Sequence, residues 1–146
     1  MQYKYYLHLF AGMAMLELGN LASSLAPFNV SAVSESLGAN SQESGLVVTL
    51  ELFFAAISSL FFGTVSYKGK ALAYCGSLIV ICSYFLCSIA SDVNQITFIK
   101  AFSGIGCGML IASGHSILAS SQDPNRSYAL FTLFASLTAA FLIYIS

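Results

Sequence analysis

Glu17, Glu51, Lys100 and His115 stand inside long apolar stretches of this chain. A charged side chain at the centre of a bilayer costs roughly 2.5–3.5 kcal/mol on insertion scales, and residues held at that cost usually face a polar cavity or a partner. These four are therefore the candidates for a substrate or proton pathway. Two carboxylates and one ammonium leave an excess of negative charge when all are ionised. Burial favours the protonated form of a carboxylate. One of the two acids is thus expected to take up a proton reversibly, which is what proton-coupled transport requires.

Depth links three of them. At about 1.5 Å per helical residue, Glu17 lies about 18 Å up from the inner end of its span, while Glu51 and Lys100 lie about 10 Å and 6 Å below the outer face. Plainer readings stand beside each. Lys100 is close enough to a span end to snorkel to the interface. His115 has a carbonyl hydrogen bond as its alternative, and Glu51 a satisfied structural role. Glu17 is too deep and too short-armed to reach water. Lys100 and His115 share a helical face but sit about 22 Å apart along it, so they cannot touch.

The elements that hold these groups are apolar helices. Residues 71–91 and 101–122 contain no Asp, Glu, Lys or Arg, and about 20 such residues cross the ~30 Å hydrocarbon core. Five spans are expected, at residues 5–28, 45–67, 71–90, 96–118 and 128–145. Polar breaks at 29–44, 68–70, 91–95 and 121–126 separate them. The runs are continuous rather than alternating, which excludes a β-barrel. The fold class is all-α, a polytopic transmembrane helical bundle forming a single domain over residues 1–146. Composition agrees, with 58% hydrophobic and 8% charged residues against about 25% charged in ordinary soluble domains.

Several functions are excluded. A net charge of −1 gives no basic footprint for nucleic acid. Cys75, Cys82, Cys87 and Cys107 lack the spacing of a zinc site and lie in apolar segments, where thiols are usually inert. No metal, no cofactor and no enzymatic centre is expected, since His115 is alone in its region. The lipid bilayer is the first partner.

Lys4, Lys68, Lys70 and Arg126 fall on one side of this topology, while Glu35, Glu43 and Asp92 fall on the other. Short loops rich in Lys and Arg stay inside, so the amino terminus is expected in the cytoplasm. A cleaved signal peptide is the lesser reading of the first span, because Glu17 interrupts its apolar run and Pro27 follows the small-residue site. Along the fourth span Gly104, Gly108 and Ala112 form a stripe of small residues that admits a neighbouring helix closely, and Gly12 and Gly19 are placed for the same part on the first. No strand precedes the Gly-x-Gly pattern, so it is not a dinucleotide loop.

Lys100 followed by Gly104, Gly106 and Gly108 resembles the fourth-helix signature of the major facilitator superfamily. Asp123, Pro124, Asn125 and Arg126 follow where that family has a short cytoplasmic loop. Gly63, Lys68, Gly69 and Lys70 resemble its loop between helices two and three, and the run from Ser44 to Glu51 resembles a second-helix opening of some bacterial members. Two positions depart from the pattern. Tyr67 stands where the loop has an acid, and the fourth-helix basic residue, commonly Arg, is Lys100, which lacks the planar fork. The family has about twelve spans in two halves, so the resemblance implies most of an amino-terminal half: a fragment, a truncated product or a piece of an assembly.

The resemblance implies a secondary transporter that moves a small solute, with protons as candidate coupling ion, by rocking one half against a second half or a self-associated copy. It also implies that the first and fourth spans line one cavity shared by Glu17 and Lys100. The rival is a non-transporting membrane subunit whose charges form interhelical pairs. A bacterial inner membrane is the expected location. The topology has a direct check. In a background without the native cysteines, Cys at Glu35 or Asp92 is expected to react with an impermeant thiol reagent outside whole cells, and Cys at Lys70 or Arg126 is not. External labelling at position 70 would reverse the orientation.

Overall fold

The computed structural model describes residues 2–64 and 69–145, and its only regular elements among them are helices, with no strand. Its helices are α1 (Gln2–Ser24), α2 (Ala26–Leu37), α3 (Ser41–Thr64), α4 (Gly69–Cys87), α5 (Val93–Ala119) and α6 (Pro124–Ile145). Among the described residues α3, α4 and α5 are each long and apolar enough to cross a membrane. The pair Tyr5–Ser24 and Ala26–Leu37, bent by 49°, makes up to four if it counts as one broken span. The fifth expected span coincides with α6, where part of the side chains lies outside the described residues.

One expected loop is a helix. Residues 29–44 read as turn chemistry, yet α2 runs through them and leaves only 38–40 as connection. Pro27 sits in the first turn of α2, where its fixed φ suits a helix start. Gly38, at φ 63°, ends the helix in the left-handed conformation. Ser31, Glu35 and Ser36 are exposed on α2, while Val33 turns inward and Ser34 donates to the Ala39 carbonyl at 3.0 Å. A reciprocal cap then opens α3: Asn40 Oδ1 accepts from the Glu43 backbone N–H at 2.9 Å, and Glu43 Oε2 accepts from that of Asn40 at 3.0 Å. This is a capping box with Asn in the cap position. At the other end Asp123 Oδ1 accepts from the Arg126 N–H at 3.1 Å, so the expected fourth break becomes the start of α6.

The helix α5 is the centre of the bundle, with α1, α3 and α4 packed around it. Glycine makes this possible on three sides. A Cβ at Gly104 would run into the Glu51 carbonyl oxygen of α3, and one at Gly108 would lie 2.5 Å from that of Ala55. About 3.6 residues per turn puts Gly106 roughly opposite these two. There it faces α4, its Cβ position 2.9 Å from the Gly76 carbonyl oxygen. Gly114 faces α1, 2.8 Å from the Gly12 carbonyl oxygen. Gly19 returns the contact from α1, 2.9 Å from the Cys107 carbonyl oxygen, and Ala112 is buried on the same helix.

What is inside and what is outside inverts the pattern of a water-soluble protein. Ser44, Glu51, Ser58, Ser83, Lys100, Ser103 and Ser113 are buried, while Phe53, Phe61, Phe85, Phe98, Phe102 and Phe141 are exposed. Lipid solvates large apolar side chains, so helices there gain most from close contact between small residues. The arrangement is the one expected of helices packed in a bilayer.

The packing carries a prediction. Gly104→Ala should force α3 and α5 apart and cost at least about 1–3 kcal/mol, the usual range for overpacking. Gly45→Ala, where nothing lies within 4 Å of the added carbon, should leave stability unchanged. Thermal unfolding of the purified variants in detergent measures both. Equal tolerance of the two substitutions would remove the close α3–α5 contact.

Candidate functional site

Lys100 and Glu51 meet between α5 and α3. Nζ donates to Oε1 at 3.4 Å and lies 3.3 Å from Oε2, with side-chain exposures of 6% and 0%. Oε2 is the nearer oxygen but makes no hydrogen bond, so the pair is held by charge and by a long bond to Oε1. The contact follows from the glycine seam. Gly104 sits one turn from Lys100 and lets the Glu51 backbone come against α5.

Two further surfaces enclose the pair. The Tyr84 ring, from α4, stands 4.5 Å from Nζ at its centroid, close enough for a cation–π contact. One turn outward from Glu51 is Val47, and one turn outward from Lys100 is Ile96. These two pack with Val33 of α2, Ala39, Leu37, Ala90 and Val93 in one apolar cluster. The helix that was expected to be a loop therefore closes the bundle on that side of the charges. Snorkelling, the plainer reading of Lys100, does not occur.

Glu17 is elsewhere. The sequence reading put it at the height of Lys100 in one cavity. In the structure Lys100 is paired with Glu51. On either side of Glu17, Leu16 packs on Gly114 and Gly19 meets Cys107 and Ile111. Glu17 is thus level with about Ile111, some 16 Å along α5 from Lys100 at about 1.5 Å per residue. The reason is overhang. Gly12 already meets Ile117 and Leu118 at the far end of α5, so the first turns of α1 project beyond the bundle and depth counted from Tyr5 is overstated. The Thr138 hydroxyl of α6 lies near the Glu17 carboxylate, whose Oε2 is buried without a hydrogen-bond partner. The Thr138 hydroxyl donates its proton to the Phe134 carbonyl at 3.0 Å.

His115 is near the opposite end. Its Nδ1 is 3.2 Å from the Tyr128 hydroxyl, which also lies 3.4 Å from the His115 carbonyl oxygen. The pair borders an open groove of about 440 Å³ that includes Ser59, Gly63 and Ala112. Of the expected loop motif, Gly63 has open space around it, Gly69 and Lys70 begin α4, and Lys68 lies outside the described residues. Among the described residues no cluster of three or more His, Cys, Asp or Glu side chains could hold a metal.

Tyr84, Tyr128 and Thr138 were not foreseen. Each is far in sequence from the group it contacts and carries no local signal. No family model, curated protein or solved structure matches the chain.

The ion pair makes a testable demand. Removing one partner of a buried pair typically costs 3–5 kcal/mol because the other charge is stranded. Glu51→Gln and Lys100→Gln should each destabilise by about that amount, and the double variant by clearly less than the sum. Unfolding in detergent followed by far-ultraviolet dichroism measures all three. Additive losses would mean the two side chains do not interact.

Proposed function

We propose that this chain works in a secondary transporter of major facilitator type, moving a small solute by alternating access with protons as the coupling ion. The observation that carries the reading is the Glu51–Lys100 pair, buried between two helices long enough to span a membrane. Charges at such depth are expensive, and they mark ion and substrate pathways more often than scaffolding. The resemblance of the Lys100–Gly108 and Gly63–Lys70 stretches to that family supports the fold and the mode of action.

Glu17 is the proton carrier in this reading. When protonated, it donates to Thr138 Oγ1, whose own proton stays on the Phe134 carbonyl; when ionised, it has an oxygen left unpartnered, which favours taking the proton back. The Glu51–Lys100 pair is the gate element: a substrate with a charged group could exchange for either partner, and such exchange would loosen the α3–α5 seam. The basic residues at one end of the bundle favour a cytoplasmic amino terminus, and the bacterial flavour of the second-helix resemblance favours a bacterial inner membrane.

A second reading has one observation in its favour. Glu51 and Lys100 already satisfy each other within the chain, as they would in a subunit that acts only through helix packing. Vesicles carrying the protein in its native assembly separate the two. Accumulation of amino acids, sugars and organic ions is followed under an imposed pH gradient. Glu17→Gln should lower gradient-driven uptake of the transported solute at least tenfold while passive exchange persists. Absence of solute-dependent proton flux from the wild-type assembly would leave the packing subunit.

A further inference from the structure

A cavity of about 430 Å³ lies between the amino-terminal parts of α1 and α4 and the carboxyl-terminal part of α5, apart from the charged pair and from Glu17. Its volume falls within the range of small-molecule sites, about 300–1,000 Å³. The lining is divided by chemistry. Met15, Ala73 and Ile117 give it an apolar wall, while His8, Lys70, Tyr74 and Ser77 bring an imidazole, an ammonium and two hydroxyls.

The position of this cavity matters as much as its lining. It lies at the end of the bundle where α4 begins with Lys70 and α6 with Arg126, and among the described residues no acidic side chain lines it. Tyr74, 77% exposed, stands on the outside of α4, one turn in from Lys70. Tyrosines with an apolar ring and a polar tip favour the headgroup level of a bilayer. A phosphate at that level has Lys70 as its cationic partner and the His8 imidazole with the Ser77 and Tyr74 hydroxyls as donors. The carbons attached to it have Met15, Ala73 and Ile117.

We infer that this cavity binds an anionic phospholipid, with the phosphate held by Lys70 and His8 and the first part of an acyl chain laid along Met15 and Ala73. Basic pockets between helices on the cytoplasmic side of a membrane are suited to acidic headgroups. The bound lipid joins α1 to α4, two helices that otherwise meet only through α5 among the principal packing contacts. This site does not depend on any transported solute and stands whether or not the chain transports one.

The test uses the full chain purified in neutral detergent and observed by native mass spectrometry with added lipid. Phosphatidylglycerol should be retained at least fivefold more than phosphatidylcholine. Lys70→Gln should remove most of that preference, and His8→Gln part of it. Arg126→Gln removes a basic residue at the same end but outside the cavity, and should leave the preference intact. Ser77→Phe, which fills the cavity and keeps every charge, should lower retention as far as Lys70→Gln. An equal loss in Arg126→Gln would show diffuse attraction rather than a site and overturn the proposal. So would unchanged retention in both Lys70→Gln and Ser77→Phe. Complete displacement of phosphatidylglycerol by millimolar inorganic phosphate would assign the site to a free phosphate and overturn the lipid as ligand.

Discussion

An ammonium and a carboxylate that meet out of reach of water need their helices close together and their surroundings dry. Both demands are met at one place on α5. Gly104 admits the backbone of α3 where Glu51 stands, and the carboxylate then reaches the ammonium one turn away. Any side chain at Gly104 would separate the two helices and strand both charges. Desolvating an ion costs several kcal/mol, and that cost is offset only by good geometry. Tyr84 contributes a ring face to Nζ, and the Val33–Val47–Ile96 cluster keeps water from the outer side. The placement of α2 and α4 thus serves the same pair of charges.

The rest of the bundle follows from α5 being surrounded. A central helix touched on three sides needs small residues where its neighbours come closest, and its glycines face α3, α4 and α1 in turn. The large aromatics move to the outer surfaces of the neighbouring helices, where a bilayer accepts them. By contrast α6 touches the bundle sparsely. It contributes a hydroxyl to Glu17 and a phenol to His115, so its side chains bear on the candidate site more than on the core.

Much of this was legible in the residue order, for definite reasons. Continuous apolar runs define helices of membrane length, and the stripe of Gly104, Gly108 and Ala112 is readable because four-residue spacing holds a single face. The depths assigned to Glu51 and Lys100, about 10 Å and 6 Å, are compatible with the contact they make. The depth of Glu17 was misplaced because span ends were taken as level, whereas α1 overhangs α5. The short helix α2 was hidden by its Ser, Asn and Glu, which serve turns and exposed helix faces alike. Partners such as Tyr84 and Thr138 are joined to the site only by tertiary packing, and no spacing rule reaches that far.

The pairing of Lys100 with Glu51 can be measured directly. Protein labelled with ¹⁵N at lysine Nζ and ¹³C at glutamate Cδ, reconstituted in bilayers, reports short nitrogen–carbon distances by rotational-echo double resonance. Oxygens 3.3 and 3.4 Å from Nζ place the carboxyl carbon well within range. The expected result is strong dephasing of one lysine signal that disappears in Glu51→Gln and persists in Glu17→Gln. Dephasing that survives Glu51→Gln and vanishes in Glu17→Gln would contradict the account and give Lys100 a different partner.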